Sequence, residues 1–290
     1  MEMTRIAKRL SFVGIVGNIL LSAFKLYAGI LGKSGAMVSD AVHSLSDVFA
    51  TCIAYFGVIM SKRPEDREHP YGHERMECVA AIILAVMLAL VGGGIGYSGI
   101  MKIMSGENLK VPGMLALVAA IISIATKEWM YWYTRAVAKK INSDALMADA
   151  WHHRSDAFSS IGALIGIGGA RLGFPIMDPI ASLFIFWFIA KAALDIFKDA
   201  IDKMIDRSCD EETEKHIREC VMKTENVIGI ELLKTRIFGN KIYVDVEIKV
   251  DSIYTLEEAH LIAKAVHNTI EETFPKVKHI MVYLTPGIRE

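Results

Sequence analysis

The chain has 290 residues, 53% of them hydrophobic and 22% charged, with a formal net charge of −1. A soluble globular chain averages about 45–50% apolar and about 25% charged residues. The departure is uneven: residues 207–290 hold 27 Asp, Glu, Lys and Arg side chains, roughly twice the density of the first 206. This excludes a disordered chain, argues against a single soluble fold, and leaves neither a global positive field nor a basic block to recruit nucleic acid.

Cys52, Cys78, Cys209 and Cys220 make no Cys-x-x-Cys pair. They read as small buried side chains rather than a disulfide framework or a thiolate zinc site. The start, Met1 to Arg9, lacks the small-residue cleavage site of a removable signal segment. Six stretches reach the ~20 mostly apolar residues that a membrane helix needs: residues 10–31, 36–60, 78–103, 112–134, 145–171 and 176–199. The connections around Lys33, Gly106-Glu107-Asn108 and Gly173-Phe174-Pro175 are short, whereas Ser61 to Glu77 is long and charged. Asp178-Pro179 reads as the N-cap and first residue of the sixth helix. Basic residues gather at the N-terminus (Arg5, Lys8, Arg9), in the second connection (Lys62, Arg63, Arg67, Arg75) and in the fourth (Arg135, Lys139, Lys140). The opposite side has only Lys33, Lys102, Lys110 and Arg171. This bias predicts an integral protein of the plasma or inner membrane with both termini in the cytoplasm.

The tail reads as a compact α+β unit. Asp210 to Met222 is expected to be helical and Ile228 to Phe238 a strand, with a turn at Phe238-Gly239-Asn240-Lys241. Ile242, Val244, Val246, Ile248 and Val250 then alternate with polar or amphipathic residues, the pattern of a half-buried strand. A helix from Thr255 to Phe274 and a strand from Val277 to Leu284 follow. The expected fold class is an α-helical membrane protein: a six-helix transmembrane domain over residues 1–206, then a small cytoplasmic domain of order α-β-β-α-β over residues 207–290. A unit of ~80 residues is marginally stable alone, so self-association would help it.

The chemistry sits inside the apolar helices. Asp40-Ala41-Val42-His43-Ser44-Leu45-Ser46-Asp47 in the second and Asp149-Ala150-Trp151-His152-His153-Arg154-Ser155-Asp156 in the fifth both read D-A-x-H-x-x-S-D. A charged residue near the bilayer centre costs about 2.5–3.5 kcal/mol on insertion scales, so such residues mark function. His and Asp four apart share a helical face. Two such helices side by side offer two imidazole nitrogens and two carboxylate oxygens from His43, Asp47, His152 and Asp156. That set suits a divalent transition metal, zinc first; calcium and magnesium want more oxygens. The competing reading, hydrogen bonds between helices alone, leaves two carboxylates desolvated without a counter-ion. Asp40 and Asp149 either extend the path by one turn or, the favoured reading, orient the ligands from behind. His153 and Arg154 read as interhelical or headgroup contacts. Lys25 and the pair Lys127-Glu128 read as snorkelling or mutually paired.

These features together resemble the cation diffusion facilitator family. The resemblance spans essentially the whole chain and is carried by Asp40–Asp47, Asp149–Asp156 and His69-Pro70-Tyr71-Gly72-His73. It implies a homodimer that exports divalent metal in exchange for protons, with His43, Asp47, His152 and Asp156 as the transport site and no resident cofactor. It also implies a second metal position at Asp66, His69 and His73, and a charge pair, Arg75 with Asp206, linking the two domains. The tail departs from relatives with a two-metal cytoplasmic site. The corresponding positions are Glu231, Glu247, His260, Tyr283 and Thr285, of which only His260 is a strong zinc ligand.

The function expected is proton-coupled export by alternating access, because metal needs neutral imidazole and ionised carboxylate while protonation expels it. Glycine runs at Gly92-Gly93-Gly94-Ile95-Gly96 and Gly162-Ala163-Leu164-Ile165-Gly166 allow close helix approach. Manganese, iron, cobalt or cadmium remain alternatives to zinc. An intramembrane metalloenzyme is disfavoured: no His-Glu-x-x-His occurs, and a four-ligand site leaves no position for a catalytic water. A membrane metal sensor is the remaining class; it predicts saturable binding without net flux.

Overall fold

The computed structural model describes residues 2–61, 63–105, 110–141, 144–239 and 241–287, without the side chains of residues 2–13, 50–51, 54–55, 58, 140–141, 144–146 and 148–149. The Gly106-Glu107-Asn108 connection, Lys62, Asn240 of the expected turn, and the side chains of Arg5, Lys8, Arg9, Lys140 and Asp149 lie outside the described residues.

Six long helices come first: α1 (Glu2–Leu31), α2 (Gly35–Ser61), α3 (Met76–Ser105), α4 (Met114–Ile141), α5 (Asp144–Arg171) and α6 (Met177–Met204). At 1.5 Å per residue each is about 40–45 Å long, more than the ~30 Å hydrocarbon core of a bilayer. Several outrun their apolar stretches. Helix α4 continues through Arg135 and Lys139, which the hydropathy boundary places in a connection. Apolarity marks the part in lipid, whereas the hydrogen-bonded helix runs on. By length and composition α1, α3, α4 and α6 contain candidate membrane spans. Helices α2 and α5 are as long but carry the two D-A-x-H-x-x-S-D segments, whose ionisable residues lower their hydropathy.

One expectation at the helix ends is corrected. Helix α6 already begins at Met177, and the Asp178 carboxylate does not cap it. It accepts instead from Ser34 Oγ at 2.5 Å, Gly35 N at 2.6 Å and Ala36 N at 3.4 Å. Ser34 Oγ in turn accepts from Met37 N. The free amides at the start of α2 need an acceptor, and a buried carboxylate from α6 provides a stronger one than a neutral side chain.

The chain divides into two compact units, Met1–Ile53 with Ile83–Ile196, and Ala54–Ile82 with Phe197–Glu290. The core of the first is built on small residues: Ala28, Ala36, Ala116, Ala119, Ala120, Ala163, Ala181 and Ala193 pack with Met37, Leu84, Leu88, Ile167, Ile185 and Ile189. Small residues let helix backbones approach, which is how helices associate where lipid is as apolar as leucine. Both glycine runs take part. A Cβ at Gly166 would lie 2.3 Å from Ala181 Cβ, and one at Gly96 would lie 2.9 Å from the Phe186 ring.

The second unit holds α7 (Glu211–Met222), β1 (Gly229–Phe238), β2 (Lys241–Asp251), α8 (Leu256–Thr273) and β3 (Val277–Gly287). This is the expected α-β-β-α-β order. The sheet order is β1-β2-β3, with β1 antiparallel and β3 parallel to the central β2. A parallel neighbour requires a crossover, and α8 supplies it. The alternating residues Val244, Val246, Ile248 and Val250 pack against Ile217 and Val221 of α7 and Ile262, Val266 and Ile270 of α8.

Helices α7 and α8 are both capped by side chains at their N-termini. Asp210 accepts from Thr213 N and Oγ1, each at 2.8 Å. Thr255 and Glu258 form a reciprocal capping box. Backbone hydrogen bonds from Thr213 to Asp210 and from Thr255 to Glu258 hold both carboxyls below their ordinary values. A depressed folded value contributes stability above the unfolded pKa, about 3.9 for Asp and 4.3 for Glu. That contribution is lost as pH falls through the folded value. Amide exchange at Thr213 and Thr255 is therefore expected to accelerate on acidification below about pH 4, beyond the intrinsic pH dependence of exchange, and to show no such excess between neutral and mildly alkaline pH.

Candidate metal centre

Three of the four intramembrane residues converge. One ligand atom from each of His43, Asp47 and Asp156 lies within 4.8 Å of the other two. The four-residue spacing puts His43 and Asp47 on one face of α2, and α5 brings Asp156, which is 4% exposed, against it. The fourth, His152, is placed differently. It is half exposed, with Nε2 3.9 Å from Asp156 Oδ2. Among the described residues the tight cluster is thus one imidazole and two carboxylates, with the second imidazole reaching Asp156 alone.

Asp156 Oδ2 also carries a cation. Lys127 Nζ of α4 lies 2.6 Å from it and donates to Asn18 Oδ1 of α1 at 2.7 Å. The two paired side chains are 2% and 5% exposed. Neither snorkelling nor pairing with Glu128 describes Lys127, because Glu128 faces Arg154 at 3.6 Å. Arg154 also lies over the Tyr131 ring, 4.6 Å from its centroid. His153 is buried.

Asp40, expected behind the ligands, is paired with a buried cation. Its Oδ2 lies 2.8 Å from Lys25 Nζ and accepts from Ser160 Oγ at 2.8 Å, while Oδ1 accepts from Ser159 Oγ at 3.2 Å. Lys25, fully buried rather than snorkelling, donates to Ser44 Oγ at 3.0 Å and Ser160 Oγ at 3.1 Å. Asp40 therefore serves as counter-ion to Lys25 and joins α1, α2 and α5. The side chain of its counterpart Asp149 lies outside the described residues. The signal for both lysines was present in the sequence: each is an ionisable residue within an apolar helix. What was missing was the partner, 15 residues away for Lys25 and 29 for Lys127.

The second unit brings together Asp66, His69 and His73, whose ligand atoms also lie within 4.8 Å of one another. His69 Nδ1 is 3.0 Å and His73 Nε2 3.5 Å from the Asp66 carboxylate. The His69 and Glu68 amides donate to Asp66 Oδ1 at 2.7 and 2.9 Å. Hydrogen bonds from the His69 backbone, then its side chain, hold the Asp66 carboxyl below the ordinary value despite some desolvation. This keeps the carboxylate ionised, the form a cation needs. The same loop is anchored to the sheet. Tyr243 Oη donates to Tyr71 O at 3.1 Å, and Lys278 Nζ lies 2.6 Å from Glu74 Oε1 and 3.4 Å from Glu65. Burial acts to lower the Lys278 pKa, but the hydrogen bonds to Glu74 and Glu65 and the neighbouring charges together outweigh it and the value is raised. Arg75 and Asp206 form a hydrogen-bonded ion pair, and the Arg75 guanidinium lies 4.8 Å over the Phe238 ring.

The five tail positions do not assemble a metal cluster among the described residues. Glu231 pairs with Lys249, and Glu247 accepts from Thr285. Tyr283 stands opposite Glu247 in the parallel register, and His260 is an exposed residue of α8.

Residues 11–205 match the model of the cation efflux transmembrane domain, and residues 209–287 that of the cation efflux protein cytoplasmic domain. The chain belongs to the cation efflux family, the cation diffusion facilitators. An uncharacterized transporter of Methanocaldococcus jannaschii is 37% identical over 89% of this chain and 91% of its own. Metal tolerance protein C1 of Arabidopsis thaliana is 34% identical over 95% of this chain, which spans 61% of that relative's length. The manganese efflux system protein MneP of Bacillus subtilis is 30% identical over all of this chain and 99% of its own. Cation efflux proteins thus share both domains of this chain, end to end with MneP.

Proposed function

We propose that this chain exports a divalent transition-metal cation, zinc first, from the cytoplasm in exchange for protons, as a homodimer with both termini cytoplasmic and no enzymatic activity. The carrying observation is the convergence of His43, Asp47 and Asp156 within 4.8 Å between two long membrane helices. Family membership supports export over catalysis, and the match of residues 209–287 to the family's cytoplasmic domain supports dimerisation. With His152 turned inward the donors become two nitrogens and two oxygens, a tetrahedral set that zinc favours. Loading requires both carboxylates ionised and both imidazoles neutral, so binding expels protons and protonation on the far side expels metal. Each unit of pH difference contributes about 1.36 kcal/mol per proton exchanged. Asp66, His69 and His73 form a weaker, exchangeable site on the loop.

Manganese is the second reading, favoured by one observation. The tight cluster is richer in oxygen than in nitrogen, which suits a harder ion, and the relative MneP is named for manganese efflux. Proteoliposomes containing the purified chain test both. A proton gradient is expected to drive zinc transport, with cobalt and cadmium slower. Manganese flux above zinc flux would select the second reading. Saturable binding with no net flux of any divalent ion would replace export by a sensor role.

A further inference from the structure

We infer that Lys127 is a tethered competitor of the transported metal: its ammonium holds Asp156 while the site is empty and has to leave that carboxylate for a divalent ion to bind. The inference rests on the export reading of the His43, Asp47 and Asp156 cluster. The contested oxygen is identifiable. Asp156 Oδ2 lies 2.6 Å from Lys127 Nζ and is also the oxygen nearest His152 Nε2. A metal bound there at about 2.0–2.2 Å would stand against an ammonium that is itself buried, and the two positive charges repel.

The charge inventory points the same way. Asp47 and Asp156 together balance one divalent ion, and Lys127 adds a positive charge beyond that balance. It is not neutralised by its sequence neighbour, since Glu128 faces Arg154. The contrast with Lys25 is instructive. That lysine has Asp40 as a counter-ion that belongs to no metal cluster among the described residues, so it can stay paired throughout. Lys127 shares its carboxylate with the cargo. It also has a place to retreat to: Asn18 Oδ1 of α1, at 2.7 Å, accepts from the same ammonium and is neutral. Displacement then moves the ammonium from a charged to an uncharged acceptor while it stays hydrogen-bonded. The consequence is a site that binds its ion less tightly than two bare carboxylates would, and that is refilled by its own cation when the ion departs. A carrier needs binding that is favourable enough to load and weak enough to release.

Calorimetric titration of the full-length chain with zinc chloride, in a His73→Ala background that removes the loop site, tests this. Lys127→Gln is expected to tighten zinc binding at the membrane site by about tenfold or more and to slow zinc flux at saturation. Lys127→Arg, which keeps the charge, should retain weak binding. Asn18→Leu removes the retreat and should weaken binding about threefold, an effect that should vanish in the Asn18→Leu/Lys127→Gln double variant. A merely structural lysine would make both single variants weaker. Saturable zinc binding by the parent with unchanged or weaker binding by Lys127→Gln would overturn the inference. If that variant does not purify folded, unchanged or tighter binding by Asn18→Leu overturns it. Binding in Asp156→Asn equal to the parent would instead discard the metal-site reading itself.

Discussion

Replacing Asp156 by asparagine is expected to reduce metal flux in proteoliposomes by about 100-fold or more and to lower stability by about 3–5 kcal/mol. The two losses have different origins. Flux falls because one of the two carboxylates that balance the cargo's charge is gone and because an amide is a poor ligand for a divalent transition metal. Stability falls because Lys127, 2% exposed in its side chain, keeps its charge and loses its anion. Breaking one side of a buried pair costs more than removing both. The double variant Asp156→Asn/Lys127→Gln should therefore regain most of the stability, read by thermal unfolding in detergent, and none of the flux. Recovery of transport in the double variant would show that Asp156 acts by holding the fold. His152→Ala should be milder in stability, since His152 is half exposed and reaches Asp156 only at 3.9 Å.

Asp40→Ala is expected to separate fold from site in the opposite sense. Lys25 is fully buried, and its carboxylate partner stands at 2.8 Å. Without Asp40 the ammonium keeps two serine hydroxyls, Ser44 and Ser160, which carry no negative charge. A loss of about 3–5 kcal/mol follows for a buried pair cut on one side. Pairing the change with Lys25→Met should recover most of the lost melting temperature, because the double change leaves no unpaired buried charge. The residual zinc affinity of that double variant distinguishes the roles. If Asp40 is a counter-ion, affinity stays within a few-fold of the parent. If Asp40 orients His43, affinity falls tenfold or more, the usual effect of removing a group that positions a ligand.

Much of this was legible along the chain because the relevant information is local. The repeated D-A-x-H-x-x-S-D spacing places His43 and Asp47 on one face of α2 whatever surrounds it, since a helix turns once in 3.6 residues. Period-two alternation from Ile242 to Val250 marks a strand for the same reason, and β2 occupies those positions at the centre of its sheet. Helix ends were less legible. Asp178 before a proline satisfies the local rule for an N-cap, yet its carboxylate serves the start of α2, 143 residues away for Gly35.

The amino-acid sequence by itself determined that ionisable residues lie within apolar helices, that two of those helices carry the same ligand pattern, and that an α+β unit follows. Periodicity and hydropathy are properties of one segment at a time, and each of these features can be read from one segment. Only the tertiary structure decided who pairs with whom: Lys25 with Asp40, Lys127 with Asp156 and Asn18, and His152 held apart from His43 and Asp47. A buried charge is stabilised by whichever opposite charge packing brings within about 3–4 Å, and that choice is made by the crossing of four helices.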